Sequence, residues 1–145
     1  MGAGVVVLKK FKDEYKVLCL YKENKKGIRK YDLTKGKIDK NESSFQAAVR
    51  ETYEEAGVKN LKFEWGDVSF HRDSITMFIA VTDDNPLILK NPESGIYEHD
   101  GCEWNSFDVS YILLPEFLKP FVTWAKKIVE GGRHVKIQST WIYRG

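Results

Sequence analysis

Residues 36–58, GKIDKNESSFQAAVRETYEEAGV, constrain the fold more than any other stretch of the chain. Phe45, Val49, Thr52, Tyr53 and Ala56 recur at three- and four-residue steps, the mark of an amphipathic helix. Ser43 and Gln46 are spaced as a capping box at its start, and Gly57 stands where a helix is closed. At about 100° per residue, Glu51, Glu54 and Glu55 share roughly one third of the circumference, opposite Phe45, Val49, Tyr53 and Ala56. One face is predicted to meet the core and the other is nearly all carboxylate.

Three glutamates on a helix face are, taken alone, an ordinary solvated surface. Like charges at i, i+3 and i+4 nevertheless repel. A hard divalent cation, which takes oxygen ligands and keeps several waters, removes that repulsion. The helix face is then either a solvated surface or a cation socket, empty at a cost in stability and filled by Mg²⁺ or Mn²⁺, and the spacing of the residues around it decides between the two.

The rest of the chain supplies strands. GVVVLKKF and YKVLCLYK are joined by a polar turn, and a basic loop, ENKKGIRK, follows them. Beyond the helix, strand-like runs lie near LKFEWGDVSF and SITMFIAV, then a Pro- and Asn-bearing loop, then a strand around CEWNSF. Phe117, Leu118, Phe121, Val122, Ala125, Ile128 and Val129 form a second helical stripe stopped by Gly131 and Gly132, with Pro120 marking a start or a kink. The tail VKIQSTWIY alternates weakly as a last strand. The sum is an α/β (α+β) layered domain, a mixed sheet covered by helices, over residues 1–145.

Composition matters where it excludes. With 42% hydrophobic and 30% charged residues the chain is not of the disordered class. The N-terminal apolar run is too short for a signal or a membrane span, and Val6 stands where a myristoylation pattern wants Ser or Thr. Cys19 and Cys102 are isolated and read as free thiols, so a cytoplasmic location is expected. Residues 22–40 set eight basic against three acidic side chains, a local +5 that leaves −3 for the rest of a chain of net charge +2.

The spacing carries more than the composition. Gly36, Glu42, Arg50, Glu51, Glu54, Glu55, Gly57 and the aliphatic Val58 fit GX5EX7REUXEEXGU, with Thr52 at the first usually aliphatic site. The stretch resembles the Nudix box of the Nudix hydrolase superfamily. The resemblance implies an α/β/α sandwich and a metal-dependent hydrolase of a nucleoside diphosphate linked to another moiety. It implies Glu51, Glu54 and Glu55 as metal ligands, with the Lys35 carbonyl as a further donor. It implies a Glu42–Arg50 ion pair that fixes the loop on the helix, and Lys37 as a neutraliser of phosphate or of a polarised water. Gly36 is expected where a turn beside metal and phosphate leaves no room for a side chain.

Many Nudix enzymes carry a further glutamate on a loop, with tryptophan six residues later, and Glu98 and Trp104 in EHDGCEW have that spacing. Glu98 is thus a candidate metal ligand or general base, Glu54 an equal candidate for the base, and Glu103 the next. His99 is either a phosphate contact or a loop histidine without a catalytic role. Tyr31, Tyr97, Trp104 and Phe70 are candidate walls for a nucleobase and Lys35 a candidate substrate contact.

Among Nudix subgroups, YDLTKGKID and EHDGCEW look most like the small diadenosine polyphosphate hydrolases. Thr34 departs from the Pro-Lys-Gly that commonly leads their box, and no tyrosine lies between Glu54 and Ile96. Nucleoside triphosphates, nucleotide sugars or ADP-ribose, and the 5′ end of RNA are the alternatives. RNA is not favoured, because the basic loop lacks interleaved aromatics. A nucleotide-binding domain without catalysis is the alternative of another class, but every acid of the box is present. A monomer or homodimer is expected.

Overall fold

The computed structural model describes residues 1–131 and 139–144. A mixed sheet lies between helices. Its strands are β1 (Gly2–Phe11), β2 (Glu14–Glu23), β3 (Arg29–Asp32), β4 (Thr34–Lys37), β5 (Asn60–Phe63), β6 (Ser69–Arg72), β7 (Ile75–Val81), β8 (Gly101–Asn105) and β9 (Ser139–Ile142). Helix α1 (Ser44–Ala56) covers one face, and α2 (Phe107–Leu113) and α3 (Lys119–Glu130) the other.

β1 organises the rest. It runs parallel to β7 through Gly2–Leu8, while its other edge pairs antiparallel with β4 at Gly2–Val5 and with β2 at Leu8–Phe11. Both faces of β1 are buried, which is why it reads as an unbroken apolar run. Val5 and Val7 pack with Ala47, Ala48 and Val49 of α1, whereas Val6 and Leu8 pack with Phe121, Val122 and Ala125 of α3. Gly4 permits the fork: a Cβ there would stand 2.0 Å from the Thr34 carbonyl oxygen of β4.

α1 forms as its caps dictate. The Ser43 hydroxyl accepts from the Gln46 N–H at 3.0 Å, the Gln46 side chain accepts from the Ser43 N–H at 2.9 Å, and Gly57 takes φ 67°. Pro120 falls in the first turn of α3, and Gly131 closes that helix.

Several expectations are corrected. The basic loop is a hairpin: β2 runs on to Glu23, and the Asn24 side chain accepts from the Lys26 and Ile28 N–H groups, turning the chain into β3. LKFEWGDVSF is two strands, broken by the turn at Gly66. Ser106 and Phe107, read as the end of a strand, start α2, because the Ser106 hydroxyl caps the Val109 N–H at 3.1 Å. Of the expected tail strand, Ser139–Ile142 forms β9, antiparallel to β5, while residues 135–138, like Gly132, lie outside the described residues. Among the described residues no helix is long and apolar enough to cross a membrane.

Candidate active site

The site forms where β4 runs into α1. The Gly36 backbone lies against the Glu51 carboxylate so closely that a Cβ would be 2.1 Å from Glu51 Cδ. Just before it, the Lys35 N–H donates to Glu55 Oε1 at 2.8 Å, tying the strand to the helix. Gly36→Ala is therefore expected to push Glu51 out of place and to weaken Mn²⁺ binding about 10- to 100-fold in a calorimetric titration. Unchanged affinity would show that Glu51 tolerates the displacement.

Arg50 is the hub. Its Nε and Nη2 hold both Glu42 oxygens at 2.8 and 3.0 Å, Nη2 also donates to the Lys37 carbonyl at 2.9 Å, and Nη1 reaches Glu51 at 2.9 Å and Glu54 at 3.0 Å. Glu42 in turn accepts from the Asp39 N–H, so the loop is fastened at both ends. The planar guanidinium fork makes this possible.

The acidic face is not a solvent face. Glu55 is 7% exposed, because the segment from Pro86 crosses the end of α1, with the Leu87 and Leu89 N–H groups donating to the Ala56 and Glu55 carbonyls. Burial pushes the Glu55 carboxyl up to about 9, with Asp32 and Glu51 adding and the Lys35 N–H opposing. Burial raises Glu51 as well, against the pull of Arg50. A carboxyl raised by folding holds its proton more tightly in the folded chain, so the metal-free protein loses stability as pH rises from 4.5 towards 9. Glu42, lowered by Arg50, and Asp32, lowered by His99 and Lys35 against burial, act with the opposite sign and only at more acid pH. The metal-free melting temperature is thus expected to fall between about pH 5 and pH 9, and saturating Mg²⁺ to offset the fall by replacing the proton. A metal-free melting temperature that holds or rises over that window would contradict a protonated Glu55.

Beside Glu55 stand two residues of the 83–100 loop. Glu98 is exposed, with Oε1 held by the Asn91 amide at 2.8 Å. His99 is 9% exposed, its Nε2 3.3 Å from Asp32 Oδ2 and its Nδ1 3.7 Å from Glu55 Oε2. Glu51, Glu54, Glu55, Glu98 and His99 line one small cavity of about 10 Å³. Hard oxygen donors converging on a space of that size fit a divalent cation.

A larger cleft of about 610 Å³ adjoins it, lined by Lys22, Arg29, Lys30 and Tyr31 of the hairpin, by Asp32, Glu98 and His99, and by Leu113, Pro115 and Phe117. Arg29 lies 3.9 Å from the centre of the Tyr21 ring and is paired with Glu23 and Glu103. Phe117, placed by its spacing in the α3 stripe, instead precedes the helix and faces the cleft, and Leu113 and Pro115 had no signal in the sequence. Glu103 is committed to Arg29 and Asn105. Phe70 is core-side, stacked on Trp124.

The structure does not bring all the candidates together. Trp104 is a correction: the pleat of β8 puts it with Cys102 on the α1 side, edge-on to Phe11, remote from the cleft. Lys35 gives its ammonium to Asp32 at 3.0 Å and lies 5.8 Å from the centre of the Phe117 ring, behind two residues of the cleft wall. Tyr97 does not line the cleft but another cavity, of about 390 Å³, with Pro86, Leu87 and Cys102, which also has His99 in its wall. Lys37 is exposed, and its carbonyl is used by Arg50.

The NUDIX domain model matches residues 1–129. No curated protein matches the chain. Among solved structures, a C. elegans Ap4A hydrolase binary complex is 18% identical with a TM-score of 0.69, covering 90% of this chain and 99% of that one. A Nudix hydrolase from M. smegmatis, RenU, is 14% identical with a TM-score of 0.65 over 94% of this chain and 89% of that one. The NUDIX domain of Shewanella oneidensis NrtR, complexed with ADP ribose, is 16% identical with a TM-score of 0.58 over 88% and 86%. At these identities the likeness is one of fold. With the family's model matched over most of its length and every acid of the box in place on that fold, the chain belongs to the NUDIX domain family and is a hydrolase.

Proposed function

We propose that the chain is a divalent-metal-dependent pyrophosphohydrolase of a nucleoside diphosphate linked to another moiety, and that dinucleoside polyphosphates are its substrate class. The observation that carries this reading is the shared wall: Glu98 and His99 belong both to the carboxylate cavity and to the basic, aromatic cleft. A polyphosphate placed across that wall would have one anhydride at the carboxylates and its further phosphates towards Lys22 and Lys30. Tyr31, Phe117, Leu113 and Pro115 offer an apolar surface to a base.

Glu51, Glu54 and Glu55 would hold Mg²⁺ or Mn²⁺. Bound there, the cation would screen the phosphate oxygens and stabilise the leaving phosphate. Arg50 orients Glu51 and Glu54 through its Nη1. Of the two candidate bases, Glu54 has both oxygens within reach of Arg50 Nη1, at 3.0 and 3.2 Å, whereas Glu98 has one oxygen engaged among the described residues. That favours Glu98 as the group that takes the proton from the attacking water.

The test is a substrate panel separated by ion exchange, with Mg²⁺ and with chelator: diadenosine polyphosphates, ADP-ribose, nucleotide sugars, nucleoside triphosphates and 5′-triphosphorylated RNA. Metal-dependent turnover of the dinucleotides well above the rest is expected. Preference for another class would overturn the substrate assignment, and metal-independent nucleotide binding without turnover would overturn catalysis.

A further inference from the structure

We propose that His99 is a metal ligand through Nδ1, paired with Glu55, so that the site is a mixed nitrogen–oxygen site that prefers Mn²⁺ to Mg²⁺. This rests on the reading above that the box glutamates bind a cation.

The two ring nitrogens of His99 have different neighbours. Nε2 lies 3.3 Å from Asp32 Oδ2, whose partner oxygen is held by the Lys35 ammonium at 3.0 Å. An imidazole whose N–H is taken by a carboxylate has its other nitrogen fixed as a lone-pair donor, the arrangement found behind metal-bound histidines. That second nitrogen, Nδ1, points towards Glu55 Oε2 at 3.7 Å, longer than a hydrogen bond but a gap that two metal–ligand bonds of about 2.1 Å each can bridge. One atom each of Glu55, Glu98 and His99 falls within 4.8 Å of the others.

Burial separates His99 from an incidental loop histidine. It is almost wholly covered and lines the same small cavity as Glu51, Glu54 and Glu55. Glu55 Oε1 is already taken by the Lys35 N–H, leaving Oε2, the oxygen that faces His99, for the cation. Imidazole raises affinity for transition ions more than for Mg²⁺, which favours oxygen donors and water. Glu98, the exposed member of the group, is left for proton transfer.

The decisive experiment is pulsed electron paramagnetic resonance on the intact chain loaded with Mn²⁺. Nitrogen modulation of the bound Mn²⁺ is expected, changing in pattern when the protein is labelled with ¹⁵N-histidine and disappearing in His99→Gln. His99→Gln is also expected to lower the Mn²⁺-over-Mg²⁺ affinity ratio at least about tenfold. Mn²⁺ that binds, loses affinity in Glu54→Gln, and shows no histidine nitrogen would overturn this assignment while leaving the carboxylate site standing. Mn²⁺ that does not bind at all would overturn both. The labelling result needs no variant, so a misfolded His99→Gln would not rescue the proposal.

Discussion

Glu98→Gln is expected to lower kcat by about 10²- to 10⁴-fold with little change in the melting temperature of the metal-free chain. Both halves follow from position. Glu98 is exposed on the 83–100 loop and touches the described structure through one hydrogen bond from Asn91, which a glutamine can still accept. Its removal as a base costs the proton transfer and little else. A steady-state kcat with the metal held saturating reads the first half, and a thermal melt reads the second. Near-normal turnover would take Glu98 out of the mechanism and return the role to Glu54. A large fall in the melting temperature would show that Glu98 is structural.

Local signals carried much of the fold because they are local. Ser43, Gln46 and Gly57 act on backbone groups within one turn of themselves, so the bounds of α1 could be read directly. The acids of the box share one helix, and their neighbourhood follows from helical geometry. What the sequence could not show were contacts made between distant segments. The wheel puts Glu55 on the acidic face, but the loop that buries it starts some thirty residues later and runs across the helix end. His99 meets Asp32 across 67 residues, and no periodicity joins them. Trp104 had the expected spacing from Glu98, yet spacing through a loop does not fix which face of a strand a side chain will occupy. Phe117 fitted a helical stripe but lies before the helix, because Leu118 precedes the first turn and Pro120 sits within it.

The same distinction sets the second large expectation, that Arg50→Ala destabilises the metal-free chain by about 3–5 kcal/mol. Arg50 is 17% exposed in its side chain and meets Glu42, Glu51 and Glu54, none of them more than 22% exposed. Without it, three half-buried carboxylates face one another with no cation between them. The melting temperature should drop on the order of 10 °C at neutral pH. Glu42 gives the pH signature. Because its folded pKa is lowered chiefly by Arg50, its contribution is present above the ordinary carboxylate range and is lost as pH falls through the lowered value. The gap between parent and variant should therefore narrow in acid. Added Mg²⁺ should restore part of the loss, since it can screen Glu51 and Glu54, but not the part due to Glu42, which serves the loop. Arg50→Lys should fall between the two, because a point charge cannot hold both Glu42 oxygens while reaching along the helix. If Arg50→Ala melts within a degree or two of the parent without metal, the carboxylates relax apart on their own and Arg50 is not what keeps the socket assembled. If the loss is large and only partly restored by metal, Arg50 is the reason three of the box glutamates, Glu42, Glu51 and Glu54, can be folded together before any cation arrives.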